Sequence, residues 1–198
     1  MLRKIIERSP PTSCPSDPIP TRLLKICLIA LLPAITTLIR SSLRIGVFPT
    51  AFKEGRILPK IKKITLDKED FSNYRTVTNL PFLSKVLERA APIQVRDYLS
   101  TNQLYPRFQS AYREFQSTQT ALPRVHNDIL RTIDQKKEAI LVLLDLSAFD
   151  TIYHDILINR LNNKYGFTGT VLRWFESYTY ESAPRKRYLE KPSPILSL

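Results

Sequence analysis

The chain has 198 residues, of which 43% are hydrophobic and 24% charged, with a formal net charge of +12 and a pI near 9.9. That length and apolar content suit one folded domain with a real core, so disorder is not the default reading. Two cysteines make neither a disulfide framework nor a zinc cluster, and four glycines form no phosphate-cradling loop.

The positive charge is uneven. Residues 1–65 hold twelve Lys/Arg against three Asp/Glu, whereas 66–138 hold eleven against nine and 139–198 seven against six. Such a field attracts polyanions or an anionic membrane surface, and charge by itself does not choose between them. Residues 1–16 read as a basic tail without the apolar run of a signal peptide. Asp17 followed by Pro18 predicts a helix start. Leu24, Leu28, Leu32 and Ile35 then recur at helical spacing. Leu23–Ile39 is the most apolar stretch, but Lys25 and Pro33 interrupt it. A spanning helix needs about 20 mostly apolar residues, so a buried helix and no membrane segment is the expectation.

Gly46 and Pro49 mark the exit from that helix, and residues 53–63 read as a short strand in a basic segment. Asp67 to Asp70 form an acidic turn. Leu83, Val86, Leu87 and Ala90 begin an amphipathic helix that Pro92 is expected to cut. Ser117 is placed to cap a helix with Leu122, Val125, Ile129 and Ile133 on one face and Pro123 as a source of strain. The run Ala139–Leu144 predicts a buried central strand ending at Asp145. Asp150 or Thr151 would cap a helix bearing Ile156, Leu157 and Leu161, and a further helix follows Gly169. Residues 181–198 are basic, proline-containing and aperiodic, an irregular tail. The order of elements predicts an α+β fold, with one domain over 17–180 between two tails.

Asp145 is the informative residue. A strand-end carboxylate facing a cleft is the kind of hard oxygen ligand that Mg²⁺ takes, together with substrate phosphates. A charged residue where a strand meets solvent is the plainer explanation of the same position. The wider text changes the balance: TNLPFLSKVLER (78–89), FQSAYR (108–113), STQTAL (117–122), LVLLDLSAFDTIYHDIL (141–157) and LRWFESY (172–178) follow in that order. Preceded by DPIPTRLLKICL (17–28) and GVFPTAFKEGRILPKIKK (46–63), this text closely resembles the reverse-transcriptase domain of LINE-like non-LTR retrotransposons, from about Ser16 to Tyr178.

The resemblance implies the fingers and part of the palm of a right-hand polymerase, and RNA-directed DNA synthesis with Mg²⁺, an RNA template and a DNA primer. It implies Asp145 as the first catalytic, metal-binding aspartate, with the Leu146 carbonyl beside it. Phe149 would be the gate that excludes a ribose 2′-hydroxyl, and Arg113 would lie near the incoming triphosphate. Tyr74, Arg75 and Asn79 would sit in a template-contacting fingers segment. The text also departs from the family. LDLSAFD is one residue short before Phe149, Glu114–Phe115 stands where Pro-Gly is usual, Thr76 replaces a proline and Tyr153 an aspartate. No glycine-rich GVPQGSVLGP-like segment, no YADD-like hairpin and no adjacent pair of aspartates occurs in the 198 residues.

One carboxylate cannot seat the two ions of nucleotidyl transfer. The expectation is therefore a truncated, intracellular fragment that is catalytically silent alone and needs no small-molecule cofactor. The alternative is a non-catalytic, basic nucleic-acid-binding remnant. A membrane-associated remnant resting on Leu23–Ile39 is the third reading. Without partner strands, Ala139–Leu144 is also an aggregation hazard.

Overall fold

The fold starts from a helix that the charge pattern hides. In this computed structural model, which describes residues 1–12, 14–144, 152–180 and 187–189, α1 spans Leu2–Arg8. Leu2, Ile5 and Ile6 fall at helical spacing on one face of it, and Ile6 is fully buried in the core. The segment expected as a basic tail thus begins with a packed helix, because three apolar side chains suffice to anchor two turns.

The chain divides into two units: Met1–Asp97 with His154–Leu198, and Tyr98–Tyr153. In the first unit the apolar stretch forms two helices, α2 at Thr21–Ile26 and α3 at Leu28–Ile45, broken at Cys27. Asp17 does not cap α2, whose N-cap position is Pro20. Its carboxylate instead accepts from the Cys14 amide at 2.6 Å and the Phe82 amide at 2.7 Å. Phe82 opens α4 (Phe82–Thr101), so Asp17 satisfies an orphan donor of a helix 65 residues away.

Pro33 lies inside α3 and Pro92 inside α4, and neither ends its helix. Both prolines are exposed, so the carbonyl that loses its donor can be hydrated. The opposite faces hold the helices in place, through Ile35 and Ile39 in α3 and Val86, Leu87 and Ala90 in α4. α3 has the length and mean hydropathy, 1.5, of a membrane span, while Leu28, Ile35, Ile39 and Ser42 are buried within the unit. Gly46 ends α3 in the left-handed region at φ 78°, where a Cβ would stand 2.6 Å from the Thr170 carbonyl oxygen. Both constraints require glycine there.

β1 (Gly55–Ile61) pairs antiparallel with β2 (Tyr74–Asn79), which the sequence pattern did not mark as a strand. β3 (Arg187–Leu189) pairs parallel with β1, giving the order β2-β1-β3. The region expected to be wholly irregular after residue 180 therefore contributes a short strand, because β1 offers it a free edge. In the second unit, α5 (Thr118–Asp134) begins after Ser117, whose amide donates to Thr120 Oγ1 at 2.8 Å. The predicted cap is correct, and no residue of α5 is buried.

Ala139–Leu144 lies outside any strand, and Ile140 to Leu144 are 58–89% exposed. This corrects the expected buried central strand. A strand is stable only with a ladder neighbour, and among the described residues this run pairs with none. α6 (His154–Asn163) begins three residues beyond Thr151, and α7 (Gly169–Thr179) follows as expected. The mixture of helices and one small sheet is α+β.

α7 closes the first unit. Phe48 meets Trp174 edge-on at 5.6 Å and Tyr178 at 5.0 Å, while Trp174 and Tyr178 stack at 5.6 Å. Polar groups inside this cluster are paired. Trp174 Nε1 donates to Ser42 Oγ at 3.2 Å, Ser42 Oγ to the Val47 carbonyl at 2.7 Å, and the Phe48 amide to Ser177 Oγ at 2.7 Å. Phe48 is 2% exposed. Truncating Phe48→Ala is expected to cost about 3–5 kcal/mol, read as a lower urea midpoint with an unchanged m-value.

In the acidic turn, the Asp70 carboxylate accepts from the Ser72 hydroxyl at 2.7 Å and the Ser72 amide at 2.8 Å. The hydroxyl first, then the amide, holds its pKa below the usual carboxylate value. The folded value lies below the unfolded one, so the turn's contribution is complete above about pH 4 and is lost as pH falls through the folded pKa. An NMR titration should place the Asp70 midpoint below that of the Ser72→Ala variant.

Candidate functional site

The second unit holds a basic recess. Between the end of α4 and the first turns of α5, the chain from Gln103 to Gln116 runs through turns without regular structure. A cavity of about 400 Å³ is lined by Arg107, Arg113 and Arg124 together with Gln103, Gln109 and Gln116. No carboxylate lines it, and Glu114, though adjacent to Arg113 in sequence, is exposed and outside the lining. Three like charges repel in one small space, so an anion entering it is favoured electrostatically.

The arginines are positioned by carbonyls and rings. Arg113 Nη1 donates to the Gln109 carbonyl at 3.4 Å, and its guanidinium lies 4.9 Å from the Tyr105 ring centre. Arg124 Nη1, reaching from α5, donates to the Arg107 carbonyl at 3.4 Å. Arg107 and Arg124 stand 5.3 and 5.9 Å from the Phe108 ring centre. Each is within cation–π range. A guanidinium carries five donors, so these single bonds leave most of them for phosphate oxygens.

Backbone strain accompanies the recess. Gln103, Tyr112 and Phe115 adopt φ of 54°, 60° and 59°, in the left-handed region. For a residue with a Cβ this costs roughly 1–2 kcal/mol. The strained turns hold Tyr112 and Phe115 outward, 86% and 96% exposed, beside Phe108 at 69%.

A second basic feature lies in the first unit. The β1–β2 register sets Lys60 directly opposite Arg75, with Leu58 opposite Val77 and Arg56 opposite Asn79 on the same face. Like charges directly across a ladder are destabilising unless an anion joins them. Tyr74 and Asn79, expected to contact template, have partners within the chain. Tyr74 Oη donates to the Lys68 carbonyl at 3.0 Å, and Asn79 Oδ1 accepts from Lys85 Nζ at 2.8 Å. Arg75 is exposed.

Asp145, Leu146 and Phe149, the remaining residues singled out from sequence, lie outside the described residues, as do Asp150 and Thr151. Among the described residues no group of three or more His, Cys, Asp or Glu side chains is placed to hold a metal ion. Asp145 alone supplies one carboxylate, a donor set that does not fit a two-ion centre. Sequence reasoning found Arg113 but missed Arg107, Arg124 and Lys60. The interleaving of rings and arginines in YPRFQSAYREF (105–115) was the available signal for the first of these.

No family model matches the chain. It is similar to a probable RNA-directed DNA polymerase from transposon BS of Drosophila melanogaster, 28% identical over 149 residues, or 74% of this chain and 16% of that protein. It is similar also to the RNA-directed DNA polymerase from mobile element jockey of Drosophila melanogaster, 28% identical over 159 residues, covering 79% and 17%. A third relative is a probable RNA-directed DNA polymerase from transposon X-element of the same organism, 30% identical over 121 residues, covering 61% and 13%. The chain thus spans about one sixth of the length of the first two relatives.

The recess is expected to bind tripolyphosphate. Arg113→Ala should weaken that binding roughly tenfold, as loss of a charge-assisted hydrogen bond does, and Arg113→Lys should restore part of it. Titration calorimetry on the full chain measures both.

Proposed function

We propose that this chain, a relative of retrotransposon RNA-directed DNA polymerases, is the stretch of a reverse transcriptase that carries the fingers and the first part of the palm. The observation that carries this reading is the similarity over 74–79% of the chain to two such enzymes. In it, residues 17–180 form the polymerase part, and the RNA template and DNA primer are its partners. The arginine recess takes incoming triphosphate through Arg113, and the Lys60–Arg75 face neutralises backbone or nucleotide phosphate. Both assignments rest on clustered positive charge, which is what a polyphosphate recognises.

Asp145 is the catalytic carboxylate in this proposal, with the Leu146 carbonyl beside it and Phe149 against the sugar. Mg²⁺ would supply charge stabilisation at the reacting phosphate. The 198 residues contain no adjacent pair of aspartates, so no step through paired ions is assigned to them. The chain by itself is silent in polymerisation. Purified protein with Mg²⁺, an RNA template and a DNA primer should incorporate no more deoxynucleotide than its Asp145→Asn variant. Robust incorporation that depends on Asp145 would overturn the claim of silence.

The family assignment itself is tested by a chimaera in which these residues replace the matched stretch of the jockey polymerase. With one alanine added between Ala148 and Phe149 to restore the family spacing, it should extend a primer. It should lose at least about 100-fold in rate on Asp145→Asn, as catalysis does when a charge-stabilising group is removed. A chimaera whose residual activity ignores Asp145 would reject the assignment. The second reading, a non-catalytic nucleic-acid-binding remnant, is favoured by the Lys60–Arg75 pairing. Its mark is an affinity that falls steeply between about 50 and 200 mM salt while primer extension stays absent from the chimaera.

A further inference from the structure

The corner where α2 gives way to α3 puts two isoleucines into water. Ile26 is 73% and Ile29 84% exposed, whereas Leu24 and Leu28 beside them are buried in the core. The Cys27 amide donates to the Leu23 carbonyl at 3.0 Å, and the Cys27 carbonyl accepts from the Leu31 amide at 3.1 Å. The break between the helices therefore presents apolar side chains while the Cys27 backbone stays paired. Ile26 and Ile29 border a recess of about 380 Å³ that also includes Leu28 and Leu32. Arg3 and Glu7 of α1 and Lys25 of α2 complete its lining. Arg3 Nε donates to Glu7 Oε1 at 2.8 Å, which offsets that carboxylate. Lys25 Nζ donates to the Glu7 carbonyl at 3.0 Å and to the Ser9 carbonyl, and these neutral oxygens leave its charge uncancelled. Exposed apolar side chains and a net positive rim thus share one small surface.

We propose that this corner is a peripheral docking surface for an anionic lipid bilayer, in which Ile26 and Ile29 enter the acyl boundary while Arg3 and Lys25 remain at the headgroup phosphates. Positive charge alone suits a polyanion or a membrane equally, and the isoleucines decide between them. A phosphate backbone offers apolar side chains no cover, whereas a bilayer offers an anionic layer and an apolar one together. The long stems of arginine and lysine let their charges stay at the headgroups above inserted apolar groups. The excess of nine positive charges in residues 1–65 strengthens attraction to an anionic leaflet. The contact is peripheral because Ile35 and Ile39 of α3 are buried in the core and unavailable to lipid. Two isoleucines supply much less apolar area than an acyl anchor, so the binding is reversible. Neither Asp145 nor the arginine recess takes part, and the proposal stands apart from the polymerase reading.

The test is flotation of the full chain with phosphatidylcholine vesicles, with and without about 30% phosphatidylserine. The chain should float with the anionic vesicles and stay in the soluble fraction with the neutral ones. Ile26→Ser together with Ile29→Ser should weaken partition to anionic vesicles at least about tenfold, since both apolar insertions are lost. Ile26→Leu with Ile29→Leu should keep it. Both positions are exposed, so the serine variant should retain the parent's urea midpoint, which separates lost docking from lost folding.

A serine variant that floats as well as the parent would overturn the proposal, because charge alone would then account for the binding. Equal flotation with neutral and anionic vesicles would do the same, as would no flotation at all. Sedimentation equilibrium covers the remaining occupant, a second copy of the chain. A parent dimer that the serine variant loses, without flotation of either, would assign the surface to self-association instead. The serine variant should keep the parent's tripolyphosphate affinity, so failure of the lipid surface and failure of the polymerase reading are separately visible.

Discussion

The edge-on contact of Phe48 with Trp174 is the joint on which the first unit depends. Its two partners are separated by more than half of the chain, and between them they bring α7 against the end of α3. Aromatic pairs of this geometry contribute beyond the area they bury. Here the joint also fixes polar groups: the indole donor reaches Ser42, and Ser177 receives the Phe48 amide. Lys53, buried nearby, donates to the Tyr180 carbonyl at 3.1 Å, extending the same seam to the end of α7. Gly46 completes it, since only a residue without Cβ lets the α3 terminus approach the start of α7.

Once that joint is closed, residues 98–153 become an excursion whose two ends return to the same unit. The excursion is built on different physics. Its helix α5 buries no residue, its apolar run at 140–144 is open, and its best-defined feature is a ring of arginines over aromatic faces. The buried core lies in the first unit, and the recess lined by arginines in the second. The basic β1–β2 face is the exception, since it attaches a charged surface directly to the packed unit.

Much of the fold was legible in the sequence where the signal was local. Gly46 and Ser117 announced an αL helix end and a helix start, and the β-forming residues around Leu58 announced β1. The failures are non-local. Asp17 looked like the cap of the next helix, but its carboxylate serves α4 across the fold. Pro92 carried a breaking signal that was overridden, because Val86, Leu87 and Ala90 anchor α4 and the proline faces water. Ala139–Leu144 has the composition of a central strand, yet composition does not supply a neighbour. At the candidate site, Arg113 stood out only through the resemblance. Arg107 and Arg124 joined it through folding of a loop and a helix, which spacing alone does not encode.

The tie between Asp17 and Phe82 sets an order of events as the polypeptide leaves the ribosome. The N-terminal turn lacks its tie to α4 until the beginning of that helix has emerged, and the aromatic seam stays open until α7 follows. In the interval the greasy surface of α3 and the stretch at 140–144 are both bare. A nascent chain stalled before Trp174 would therefore be a client for chaperones, and the late arrival of that indole is the moment at which the first unit can shut.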